Sequence, residues 1–217
     1  MVPEVKSAVS AGWSGARGVV VAGALVAGLA GCSEQPQAVA PPVQIPTILA
    51  PTTVVRTPVM VDRELLDDCE LIVPVEKVNA RIGREVQGEV RTIVGIPEPS
   101  VGRTAKVDCY YDLAERQPLS AAPLIIGLAT YADDGAARDR VVESITAERA
   151  EGGTVSEVEV GKQKASVVST AGERLLIGSL GKSTFVARAK VGFVPDDQVN
   201  AVLAALAVQA MTPIEDA

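Results

Sequence analysis

Between residues 104 and 113 the chain alternates. Val107, Cys109, Tyr111 and Leu113 are interleaved with Lys106, Asp108, Tyr110 and Asp112. A period of two puts the first set on one face of a strand and the second on the other, so this segment predicts a half-buried strand. The run PLIIGLATY at 123–131 has little polar content and predicts a more buried neighbour. Residues 89–94 predict another strand, and short strands separated by turns are predicted at 155–160, 165–170, 174–179 and 184–193. In the last of these, Phe185, Ala187, Ala189, Val191 and Phe193 face one way, with Arg188 and Lys190 facing the other.

Three helices are predicted around these strands. In the first, within 73–83, Pro74 suits the opening turn, Val75, Val78 and Ile82 share a face, and Gly83 suits a left-handed C-terminal cap. The second is opened by Asp133-Asp134-Gly135 and runs to about Ala150, with Ala137, Val141 and Ile145 as its apolar stripe. The third starts at Pro195-Asp196-Asp197 and runs to about Met211, with Val199, Val202, Leu203 and Leu206 on one side. Hairpin-length connections between the strands predict an α+β domain, an antiparallel sheet with helices packed on one face. Only 3% of residues are aromatic, so the core must be built from Val, Ile, Leu and Ala.

Composition removes several classes of function. The chain has no histidine, which excludes a His-ligated metal, a Ser-His-Asp triad and a Cys-His dyad. A net charge of −7 speaks against a nucleic-acid partner, whose phosphates need clustered Lys and Arg. Gly178-Ser179-Leu180-Gly181-Lys182-Ser183-Thr184 has two residues between its glycines where a P-loop needs four, and it leads into a strand, so it predicts a hairpin turn. Asp67-Asp68 and Asp133-Asp134 lack the alternating spacing of a calcium loop and suit caps. No metal and no diffusible cofactor is expected.

The N-terminus places the chain. Residues 1–18 carry Lys6 and Arg17 against Glu4, and residues 19–30 carry no charge. As a helix that uncharged run spans roughly 18 Å, too short for roughly 30 Å of hydrocarbon and of the length found in signal peptides. Leu29-Ala30-Gly31-Cys32 closes it and resembles the lipobox of bacterial lipoproteins. The resemblance implies cleavage before Cys32 and a diacylglyceryl group on its thiol, two chains being enough for stable anchoring. Residues 1–31 are then a signal peptide and 32–61 a lipidated tether, with six prolines between residues 33 and 60 favouring extended structure. Residues 62–213 form the single domain and 214–217 a tail.

With Cys32 assigned to lipid, Cys69 and Cys109 remain, and an even pair in an exported chain reads as a disulfide, the alternative being two buried thiols. The order of features resembles small, uncharacterised cell-envelope lipoproteins of mycobacteria and related actinobacteria, some with a PsbP-like α+β fold. The residues that carry the likeness are the lipobox, Cys69-Glu70-Leu71-Ile72 through Ile82-Gly83, Cys109-Tyr110-Tyr111, and Val158-Glu159-Val160-Gly161 with Ala165. Sensor domains of actinobacterial serine/threonine kinases are similar too, with more cysteines. The resemblance implies a non-catalytic binding or interaction lipoprotein on the outer face of the cytoplasmic membrane, with an envelope protein or lipid as partner. The alternatives are a lipid carrier with an elongated apolar cavity and a carboxylate-based envelope hydrolase.

Overall fold

The structure is a computed structural model and describes residues 59–213. The signal peptide, the lipobox Leu29-Ala30-Gly31-Cys32, most of the proline-rich tether and the tail lie outside the described residues. The chain runs α1 (Val75–Ile82), β1 (Glu89–Gly95), β2 (Arg103–Leu113), β3 (Leu124–Tyr131), α2 (Asp134–Ala150), β4 (Thr154–Val160), β5 (Gln163–Ser169), β6 (Glu173–Leu180), β7 (Ser183–Lys190) and α3 (Val199–Met211). The strands form one sheet in the order β1-β2-β3-β7-β6-β5-β4, every neighbour antiparallel. Two meanders, β1-β2-β3 and β4-β5-β6-β7, are thus joined by α2 and zipped together where β7 returns beside β3. The α+β class predicted from the hairpin-length connections is the observed one.

Local chemistry explains the ends of the elements. Gly83 closes α1 at φ 73°, a left-handed conformation with little steric cost for glycine. The β6–β7 connection is a two-residue turn between Leu180 and Ser183, with Gly181 at φ 55°, so the glycine-rich motif is the hairpin turn that its spacing predicts. Two boundaries shift. The β7 strand ends at Lys190, because the chain turns at Gly192 (φ 85°) and leaves Val191 44% exposed. Phe193 packs against the core outside the strand, with the Arg84 guanidinium 4.6 Å from its ring centroid. The third helix is regular only from Val199, where the amides of Gln198 and Val199 converge on the Pro195 carbonyl.

Burial along β2 follows the alternation: Val107, Cys109, Tyr111 and Leu113 are buried, and the residues between them are not. On that side Leu124, Ile126, Phe185 and Ala187 meet Leu203, Leu206, Ala210 and Met211 of α3 and Val78 of α1. A Cys69–Cys109 disulfide with a Cα separation of 5.6 Å ties the start of the domain to this face. The Tyr111 hydroxyl, donating to the Val73 carbonyl at 2.7 Å, adds a second tie just before α1. The first residues described are held as well. Val61 donates its amide to Met211 at 2.9 Å, and the Asp62 carboxylate accepts from the Lys182 amide at 2.8 Å and the Ser183 hydroxyl at 2.5 Å.

The helices divide between the two faces. Arg188, which alternates with Phe185, Ala187 and Ala189 on β7, reaches Glu148 of α2 at 3.1 Å. It follows that α2 lies over the face opposite α1 and α3, so the helices cover both faces of the sheet where the sequence predicted one. No helix among the described residues is long and apolar enough to cross a membrane.

Candidate functional site

The face under α2 is built from cross-strand rows that the sheet register sets. Tyr110, Ile125, Arg188 and Leu175 form one row, and Asp108, Gly127, Val186 and Ile177 the next. Lys106, Ala129 and Thr184 come third, and Arg103 opposite Tyr131 ends the series. Side chains in the middle are small. A Cβ on Gly127 would sit 2.7 Å from Asp108 Oδ1, so only glycine lets that carboxylate lie across the floor. The helix rests on this face through Ala137, which is fully buried against Ala129 and Tyr131. Further along, α2 presents Arg140, Glu143, Ser144, Ala147 and Glu148 to the sheet. Small residues below and long polar ones above leave a cavity of about 380 Å³.

Its lining is apolar at the base, where Ile125, Leu175, Ile177 and Val186 lie, and charged around it. Lys106 pairs with Asp108 at 2.7 Å, and Arg188 is held between Glu148 at 3.1 Å and Glu173 at 3.4 Å. Arg140 is only 3.6 Å from Glu143, with both side chains largely in solvent. Arg103 pairs with Glu98 at 2.8 Å, yet its Nε is buried and has no hydrogen-bond partner among the described residues. A tyrosine marks each end. Burial, then Asp108, raises the ionisation of Tyr110, with Arg188 opposing. Burial also raises that of Tyr131, opposed by the Thr184 hydroxyl and by Arg140 and Arg103.

Every carboxylate that lines the cavity is paired with a cation, Asp108 with Lys106, Glu143 with Arg140 and Glu148 with Arg188. The charged rim also differs from the elongated apolar cavity that a lipid carrier requires. Of the described residues singled out in sequence for chemistry, Thr184, at the end of the glycine-rich motif, lines the cavity. Cys69 and Cys109 are on the opposite face. Asp133 caps α2 by accepting from the Ala136 amide at 2.9 Å, and Asp68 caps a short 3-10 turn by accepting from the Glu70 amide. The signal for the cavity was present in part, since Lys106, Asp108 and Tyr110 on β2 and Arg188 on β7 were visible as polar faces. What was missing was that β2 and β7 flank the same strand and that a helix covers them.

No protein-family model matches the chain, and no curated protein matches it. Among solved structures, the chain is similar to the extracellular domain of PknH from Mycobacterium tuberculosis at 14% identity. The match covers 64% of this chain and 92% of that one, with a TM-score of 0.40.

Proposed function

We propose that the chain is a lipid-anchored, non-catalytic binding module of the cell envelope, held through Cys32 on the outer face of the cytoplasmic membrane. It recognises a small polar molecule in the cavity under α2. The observation that carries this reading is a 380 Å³ space with an apolar base and a charged rim, the composition of a small-molecule site. The lipobox and the uncharged run before it support the location, and the Cys69–Cys109 disulfide suits an oxidising compartment.

The test uses the full chain, made with its leader in a bacterium that processes lipoproteins. The native chain is expected in the membrane fraction with a diacylglyceryl mass on Cys32, and Cys32→Ala in the soluble fraction. Denaturing the purified native chain should release a small molecule that Ala147→Trp, which fills the cavity from an exposed helical position, does not carry. Membrane retention of Cys32→Ala would refute the anchor. Identical small-molecule profiles from the native chain and Ala147→Trp would refute the site.

A further inference from the structure

We propose that the Arg103 end of the cavity is an oxyanion subsite, which takes a carboxylate or phosphate group of the ligand between Arg103, Arg140 and the Tyr131 hydroxyl. This deepens the binding-module reading and rests on it.

The two ends of the cavity differ in how far their cations are already committed. At the Tyr110 end, Arg188 is shared by two carboxylates, at 3.1 and 3.4 Å. Lys106, two rows further along, is held by Asp108 at 2.7 Å. The Tyr131 end has spare capacity. Among the described residues Arg140 pairs only with Glu143, at 3.6 Å, and lies one turn beyond the buried Ala137 that seats α2 on the sheet. Arg103 is anchored through Nη2 to Glu98, its side chain only 17% exposed, while its Nε finds no acceptor among the described residues.

A guanidinium is five donors in a fixed plane, and it never loses its proton. A buried N–H of that kind without an acceptor is an unfavourable arrangement that a ligand oxygen would relieve. The matching group is planar or multi-oxygen and negatively charged, because a carboxylate or phosphate takes two donors side by side. Tyr131 is 4% exposed and sits opposite Arg103 in the register, with the Thr184 hydroxyl beside its own. Its phenol belongs to the same lining as the Arg103 and Arg140 side chains. A ligand without an acceptor oxygen would leave Arg103 Nε as it is, and one without negative charge would form no ion pair with Arg140.

The test is titration of the full chain in neutral detergent with inorganic phosphate, succinate or short-chain phosphatidylglycerol, each against sodium chloride at equal ionic strength to remove general screening. At least one of the three should raise the unfolding midpoint where chloride does not. Which one does so distinguishes a free phosphate, a carboxylate and a lipid headgroup. Arg140→Gln should weaken that ligand about tenfold, equivalent to ~1.4 kcal/mol. Arg138→Gln, an exposed position two residues away on α2, should leave it unchanged. No effect beyond chloride from any of the three, or equal weakening by the two variants, would overturn the subsite. If a neutral molecule is carried by the native chain and Arg140→Gln but not by Ala147→Trp, the subsite is overturned while the binding-module reading stands.

Discussion

The sheet has two faces, and the same strands build both by opposite means. On the α1/α3 side, large apolar residues of the sheet meet large apolar residues of the helices, and Phe185, Leu203, Leu206 and Met211 are all completely buried. On the α2 side, the sheet offers Gly127 and Ala129 at its centre, and the helix answers with Arg140, Glu143 and Glu148. Adjacent tyrosines show the contrast within one strand. Tyr111 is fully buried and bonded to the Val73 carbonyl, whereas Tyr110, one residue earlier, lines the cavity. One face therefore holds the fold together, and the other is left available for a ligand.

The largest effect should come from truncating neighbours on β7 that point opposite ways. Phe185→Ala removes a fully buried ring from the α3 side and should cost about 3–5 kcal/mol, the usual range for such a cavity. Val186→Ala, on the cavity base and only half-buried, should cost under about 1 kcal/mol. Urea unfolding of both variants checks the pair. Equal losses would mean that the α2 face contributes as much packing as the other, and the division of labour would be wrong.

That division was only partly legible in the sequence. Strands with one dry face print their period directly, so β2, β3 and the body of β7 were readable, and Cys109 could be placed on the buried side. The α2 stripe was less informative. Ala137 is buried as expected, but Val141 and Ile145 are half-buried and Val142 is 63% exposed. A helix that roofs a charged cavity has no need of a continuous apolar stripe, so its inner side resembles a solvated surface. The cavity itself depends on β7 lying beside β3, a pairing between segments more than 50 residues apart, as in Leu128 opposite Phe185. No local pattern encodes that neighbour. The unpartnered Nε of Arg103 is likewise a consequence of tertiary placement, since in sequence Arg103 is one more charge next to a turn.

The two tyrosines give the next test, at intermediate size. Tyr111→Phe leaves the buried Val73 carbonyl without its donor and should cost about 1–2 kcal/mol at neutral pH. Tyr110→Phe should stay within about 0.5 kcal/mol, because its hydroxyl has no hydrogen bond among the described residues. The pair should also separate at alkaline pH. Burial, followed by the nearby Glu70 carboxylate, pushes the Tyr111 phenol well above its ordinary value. The unfolded chain therefore loses this proton first, and stability present below about pH 10 falls as the pH rises beyond it. Tyr111→Phe should make that alkaline loss shallower, as read from unfolding midpoints across the pH range. An unchanged slope would show that Tyr111 is not held neutral by the packed face.

The smallest effect concerns whether α2 belongs to the same cooperative unit as the packed face. Asp133→Ala removes the cap that accepts from the Ala136 amide, which should cost about 1 kcal/mol. Because α2 is seated by Ala137 and steadied by the Glu148–Arg188 pair, with few large apolar contacts, the cost should appear locally. Hydrogen exchange should quicken for the amides of the first turns of α2 and remain unchanged in β3, β7 and α3. Faster exchange spread evenly through β3, β7 and α3 would mean that loosening the roof loosens the core. The polar face would then be a structural layer of the same cooperative unit as the core. A response confined to α2 leaves the roof able to open over the cavity while the α1/α3 face keeps the sheet intact.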